Sequence, residues 1–414
     1  MGAHAYLKIN NLIIYDWRDI YPTDQAMMIF NNNSFVKKDR LFKIKNSVVI
    51  NRLSMLGINY EKCKKEFEEQ DFEVTKNELI KFRDLIISYE EYDEDIYIIH
   101  FSYLAYKNYF VKRCLIDEKD INLDYESKCN FLLKKFKDEK KIDDPDVDYS
   151  VGYRKKEQFL NFLYILCKLA DKNSYLKLDI WDQESQGYYP ALNSLIDSDK
   201  QWYLEFRNND YNYQIIVLTE GSSDSRILEM TMKRAFPEYR DLFFFEDFDK
   251  SGHNIPSGGA SQTANYVKFL KSIGYKQKVI AVFDNDIEGC KQINHLKQIS
   301  LKYKNFKIIH YPDRPFAKNY KVELNGNEKE ANINGKGLFL EMYIAENLNP
   351  NFMPKLCEIK KDDEVNYKFT NKKEKDKLKK EYNNWINTNN KTKILKYNLG
   401  VVSIIQELLK EAES

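Results

Sequence analysis

Six cysteines are scattered along the chain, Cys63, Cys114, Cys129, Cys167, Cys290 and Cys357, with no Cys-x-x-Cys pair and no paired histidines. That spacing argues against a zinc site and fits a reducing cytosol better than a secretory route. Excess charge of one sign is also missing: 65 Lys and Arg face 64 Asp and Glu, a net charge of +1. No global nucleic-acid footprint follows, so any basic surface must be local. Apolar runs fall well short of the ~20 residues that span a bilayer, and no membrane is expected. The start, Met1-Gly2-Ala3-His4-Ala5-Tyr6, lacks a basic segment followed by an apolar one, and Tyr6 stands where myristoylation requires Ser or Thr. The expectation is a cytoplasmic protein.

What is present describes an ordinary globular chain. Its 414 residues suffice for two or three domains, and 43% apolar with 31% charged residues excludes a disordered class. Lys far outnumbers Arg, and Asn and Ile are frequent, which reads as the bias of an AT-rich bacterial genome. With 30 Tyr and 25 Phe, no tyrosine is nominated by its presence alone.

Residues 5 to 17 alternate around Asn10-Asn11 and predict a small β hairpin. Residues 77 to 172 read as helices, with one apolar face at Phe159, Phe162, Leu163, Leu166 and Cys167. Charged connections at Lys134–Lys141 and Asp143-Asp144-Pro145-Asp146 interrupt them. From 211 the pattern changes. Strands at Tyr213–Leu218, Leu242–Phe245, Lys278–Phe283 and Phe306–His310 alternate with helices starting near Ser223 and Ser261 and one ending near Tyr303. Such interleaving predicts βαβ units and a parallel sheet. Residues 371 to 414 read as helical again, and the lysine-rich Lys372–Lys380 reads as a solvated helix face.

The chemistry concentrates just beyond two strand ends. Ile215-Ile216-Val217-Leu218-Thr219 leads into Glu220-Gly221, and Val279-Ile280-Ala281-Val282-Phe283 leads into Asp284-Asn285-Asp286. Side chains past the carboxyl ends of neighbouring parallel strands converge on one crevice. Carboxylates gathered there repel one another unless a hard cation, Mg²⁺ or Mn²⁺, neutralises them. Asp224, four residues after Glu220, faces the same crevice or complements the helix dipole. Two calcium-loop decoys fail. Asp284-x-Asp286-x-Glu288-Gly289 has His295 where the loop needs Glu, and Asp247-x-Asp249-x-Ser251-Gly252 has Gly258 there. Ile287 after Asp286, together with the earlier Glu-Gly strand, disfavours a phosphatase of the haloacid dehalogenase type.

A strand ending in Glu-Gly, two βα units and a strand ending in Asp-x-Asp together resemble the Toprim domain over residues 211–347. The acid four residues after Glu220 is most similar to the OLD-family nucleases. Asn334-Gly335 and Leu338–Tyr343 resemble the later acidic helix of such proteins, so Glu341 is either an extra ligand or a solvated helix residue. The N-terminal Met1–Ile9, Met28-Ile29-Phe30 and Lys38-Asp39-Arg40 resemble the N-terminal domain of bacterial HEPN/Toprim-associated proteins, tied to anti-phage defence. No histidine follows an Arg at the spacing of catalytic HEPN ribonucleases, and His4 and His100 read as packing residues.

The resemblance implies an α/β Toprim-like domain with a parallel central sheet at 211–347. A mainly α-helical region with a small hairpin (1–205) would precede it, and C-terminal helices (348–414) would follow. It implies a Mg²⁺- or Mn²⁺-dependent endonuclease acting on DNA or RNA, with Glu220, Asp284 and Asp286 catalytic and Glu220, Asp224, Asp284, Asp286 and Glu341 as metal ligands. Arg226, Arg314 and Lys318 would offer positive charge to phosphate. Gly258 and Gly259 would cradle it at a helix N-terminus, or belong to a plain loop. A homodimer or a defence partner protein joins the list of expected partners. The missing zinc-binding template module speaks against a primase, and the small flanking regions speak against a topoisomerase. The rival reading is a non-catalytic module that binds nucleic acid, nucleotide or a partner protein.

Overall fold

The computed structural model describes residues 3–10, 12–18, 29–30, 34–36, 39, 41–69, 71–104, 160–161, 163–186, 214–249, 258–324, 326–348, 355–361, 364–369, 371–397 and 399–414. It is mixed α/β and divides into two compact units, Met1–Asn208 and Asn209–Ser414. Among the described residues no helix is long and apolar enough to cross a membrane.

In the first unit β1 (His4–Ile9) and β2 (Leu12–Arg18) pair antiparallel, as the hairpin expectation has it, with Asn10 turning at φ 54°. They belong to a five-stranded sheet in the order β2-β1-β8-β4-β3, completed by β3 (Phe35–Val36), β4 (Leu41–Lys45) and β8 (Tyr175–Asp179). Ala5, Leu7 and Ile9 alternate into the core with Leu176 and Leu178. His4 stacks on Tyr6, and His100 bonds Ser88 and Asp71.

The helical expectation for 77–172 fails at residues 86–101. There β6 (Ile86–Asp93) and β7 (Ile96–Phe101) form a hairpin that joins β5 (Phe72–Thr75) in a three-stranded sheet. The reason is visible in β7: it is rich in β-branched and aromatic residues, and every second one, Tyr97, Ile99 and Phe101, is buried. Leu163, Leu166 and Cys167 are helical and buried, whereas Phe159, Phe162 and the 134–146 connections lie outside the described residues.

The second unit is built on a four-stranded parallel sheet. Its strands are β9 (Ile215–Leu218), β10 (Phe243–Phe245), β11 (Val279–Phe283) and β12 (Phe306–His310), in the order β10-β9-β11-β12. The intervening helices are α1 (Ser222–Ala235), α2 (Ala260–Ser272) and α3 (Ile287–Lys302). All five residues of β11 are buried, as a central strand covered on both faces requires. The connection leaving β9 runs to β10 on one side, and that leaving β11 runs to β12 on the other. The strand order therefore reverses between β9 and β11, the kind of switch point at whose carboxyl-end side ligands bind in open α/β sheets.

Beyond β12 the expected helical extension is only partly helical. A second sheet, in the order β14-β13-β15-β16, is made by β13 (Tyr320–Leu324), β14 (Asn327–Ala331), β15 (Leu356–Lys361) and β16 (Glu364–Phe369). β15 pairs with β13 through Val322↔Leu356, so a boundary at 347 would cut through one sheet. The helices here are α4 (Leu340–Leu348), α5 (Lys372–Thr388), α6 (Lys391–Tyr397) and α7 (Leu399–Glu413).

α7 packs on α4 at Gly400, where an added Cβ would sit well inside contact distance of the Tyr343 carbonyl oxygen. Alanine is normally the better helix former by about 1 kcal/mol, but here backbone meets backbone and overpacking costs about 1–3 kcal/mol. Gly400→Ala is therefore expected to lower the melting temperature in thermal denaturation, and a raised melting temperature would contradict this packing.

Candidate metal centre

Glu220 and Asp284 meet because their strands are neighbours. Leu218 of β9 lies opposite Ala281 of β11, and both acids sit just beyond the paired residues. The Asp284 amide donates to Glu220 Oε1 at 2.9 Å. The end of β9 is fastened from behind: Thr263 Oγ1 donates to the Thr219 carbonyl at 2.9 Å, and Ser225 Oγ to the Glu246 carbonyl at 2.6 Å. On the β11 side Gly289 approaches so closely that a Cβ there would collide with the Asp284 carbonyl, which keeps the turn into α3 tight.

Asp286 has a structural duty as well, since its Oδ1 caps α3 by accepting the Gly289 amide at 2.8 Å. Between the two acids, Asn285 is 1% exposed. Its Nδ2 donates to Asp313 Oδ1 at 2.8 Å, its Oδ1 accepts the Gly335 amide at 2.7 Å, and its backbone exchanges two hydrogen bonds with Leu338. Asn285 thereby ties the Asp-x-Asp turn to the loop that leads into α4 and its Glu341. Tyr311 and Tyr343, buried and edge-to-face, pack beside it, and Tyr343 donates to the Pro312 carbonyl at 2.6 Å.

Lys379 of α5 overturns one expectation, and the burial of Glu341 removes one of its two alternatives. The Lys372–Lys380 stretch does not present a uniformly solvated face, and Glu341 is buried. Lys379 Nζ stands 2.9 Å from Asp224 Oδ1, 2.8 Å from Ser223 Oγ and 3.2 Å from Glu341 Oε1. Lys375 stands 3.7 Å from Glu341 and lies over the Phe339 and Phe369 rings. Burial pulls the Lys379 ammonium down, but Asp224 and Glu341 outweigh it and hold it above its ordinary value.

The five acids act on one another. Burial first, then Glu220, Asp224, Asp286 and Glu341, push the Asp284 carboxyl well above the ordinary carboxylate range. Glu220 is pushed up to about 7 by burial, then by Asp286, Asp224 and Glu288, against the Asp284 amide that pulls it down. Asp224 is raised by burial in spite of Lys379, and Asp286 by burial in spite of the Gly289 amide.

A carboxyl raised on folding binds its proton more tightly in the folded chain. Stability is therefore full at low pH and declines as pH climbs from Glu220's ordinary 4.5 through about 7. Glu220 alone would remove about 3 kcal/mol across that window, and the other raised acids act in the same direction. Thermal melts in chelator should show the melting temperature of the second unit falling between about pH 5 and pH 8. A flat or rising profile would contradict the clustering.

Of the expected cations, two are already engaged. Arg226 grips Asp247 at 2.7 and 3.0 Å and Asp249 at 2.8 Å, so the second calcium-loop decoy is an arginine clamp instead. Arg314 is bidentate to Glu346 at 2.9 and 2.6 Å. Lys318 is exposed on the turn Pro315–Asn319. Gly258 and Gly259 adopt φ of +107° and +103°, which glycine tolerates, but the Gly259 amide donates to the Glu220 carbonyl at 2.7 Å and is not offered to a phosphate.

Among the described residues no three His, Cys, Asp or Glu side chains form a ready metal-holding group. What the site does offer is Asp284 Oδ1, shielded from solvent and without a hydrogen-bond partner among the described residues, on the residue whose amide bonds Glu220 Oε1. A buried acceptor left bare costs free energy, and a cation removes that cost. The donor set suits an ion of the Mg²⁺ kind, which keeps waters and is held by one or two carboxylates plus substrate oxygens. It does not suit a closed cage. Compared with family models, curated proteins and solved structures, the chain finds no match in any of the three.

Proposed function

We propose that the second unit is a Toprim-type nuclease centre that hydrolyses phosphodiester bonds of DNA or RNA with Mg²⁺ or Mn²⁺. The observation that carries this reading is the pairing of Glu220 and Asp284 at the switch point of a parallel sheet, with Asp284 Oδ1 buried and bare. Glu220 and Asp284 would hold the ion, with Asp286 beside them. When bound, the ion would lower the pKa of a water and neutralise charge building on the phosphate. A Glu220 carboxylate oxygen left free by the ion would be available to receive that water's proton. The N-terminal resemblance adds bacterial anti-phage defence in the cytoplasm as the setting.

One observation favours the rival, a non-catalytic module binding nucleotide, nucleic acid or a partner protein. Lys379 and Lys375 together already neutralise Asp224 and Glu341, so two of the five acids are balanced without any ion. Incubation of the full chain with panels of DNA, mRNA and tRNA in Mg²⁺ or Mn²⁺, against a chelator control, separates the two. Metal-dependent cleavage supports the nuclease. Binding without cleavage in every arm would leave the rival.

A further inference from the structure

The acids of the cluster fall into two electrostatic groups. Asp224 and Glu341 share Lys379, at 2.9 and 3.2 Å, and Glu341 has Lys375 at 3.7 Å. Two carboxylates are thus balanced by two ammoniums. The third oxygen near Lys379, Ser223 Oγ at 2.8 Å, gives every N–H of its ammonium a partner. Glu220, Asp284 and Asp286 are different. Among the described residues none of the three has a cation within ion-pair distance, Lys375 acting on Asp286 only from further off, and the hydrogen bonds they accept come from backbone amides. Asp284 Oδ1 accepts none.

We infer that the centre is built for a single divalent cation seated on Glu220 and Asp284, with the Lys379 ammonium standing where a second cation would otherwise sit. This rests on the metal reading of the site and narrows it: Asp224 and Glu341 are partners of a lysine rather than ligands. A second divalent ion would have to expel a buried ammonium from three oxygen contacts. The single ion meets a shielded, bare carboxylate oxygen and no such competitor. The arrangement also explains why α5, far along the chain from the strand-end acids, belongs to the site at all.

The test counts ions rather than turnover. Mn²⁺ is titrated into the full chain by calorimetry, with bound Mn²⁺ followed by electron paramagnetic resonance. The wild type should bind one ion. Asp284→Asn should weaken that binding by about tenfold or more. Asp224→Asn and Glu341→Gln should each keep the one ion within about threefold, because neither residue touches it. Each of these two variants leaves Lys379 one carboxylate, so both are expected to fold, and far-ultraviolet circular dichroism checks that they do. Two ions in the wild type would overturn the single-ion inference while leaving the metal reading intact. So would a tenfold or greater loss in either Asp224→Asn or Glu341→Gln. No binding by the wild type at millimolar Mn²⁺ would remove the metal reading and this inference together.

Discussion

Asp284→Asn is expected to abolish cleavage and, without divalent ions, to raise the melting temperature of the second unit. The two effects have one cause. Asp284 is pressed by burial and by four other acids, and its Oδ1 has no partner. A neutral amide keeps the shape, escapes the repulsion and can donate to a neighbouring carboxylate. Relieving such a site typically gains about 0.5–2 kcal/mol, or a few degrees for a unit of this size. Activity moves the other way. Outer-shell substitutions at metal sites cost about 10–100-fold, so loss of a direct ligand should exceed about 100-fold. Activity assays paired with melts in chelator read both signs. A variant that is inactive and also less stable would point to misfolding instead of a lost ligand.

Lys379→Met should do the reverse and destabilise the second unit sharply. Methionine matches the length of the stem, so the packing change is small and the charge is what is lost. Asp224, 8% exposed, would then lose its ammonium, and Glu341, 3% exposed, would keep only Lys375 at 3.7 Å. Breaking a buried ion pair by removing one partner costs about 3–5 kcal/mol. For a unit of 150–250 residues that is a fall of roughly 10 °C. Adding Asp224→Asn should recover part of the loss, since coupled partners are not additive. Lys377, whose side chain is 69% exposed on the same helix, serves as the control, and Lys377→Met should shift little. If both substitutions cost the same, the buried bridge contributes nothing of its own.

How much of this is legible in the sequence depends on how far a signal reaches. The parallel sheet is legible because runs such as Val279–Phe283 are apolar throughout, and Phe306–His310 forms as expected. The strand-end acids follow from the same reading, since burial of the strand fixes where its polar exit begins. The β6–β7 hairpin escapes it because β6 is exposed on both faces and lacks a period-two pattern. Lys379 escapes for another reason. In a stretch alternating Lys with Glu374 and Asp376 every lysine looks solvated, and only a partner 155 residues away tells this one apart. Asn285 is similar: its bonds run to Asp313 and Gly335, and a lone Asn between two Asp gives no periodic hint of them. Arg226 and Arg314 look available until the folded chain supplies their acids.

The sheet shared by β13 and β15 and the reach of α5 set a limit on how this protein can be cut. A shortened chain ending at residue 347 would keep every strand-end acid, yet it would lose both β15 and Lys379. It would also lose the α7 backbone at Ala412, which accepts the Lys278 ammonium beneath the parallel sheet. The smallest transplantable piece is therefore the whole stretch Asn209–Ser414. Grafts or fusions that respect only the βα repeat would deliver the acids without the cation that keeps two of them quiet.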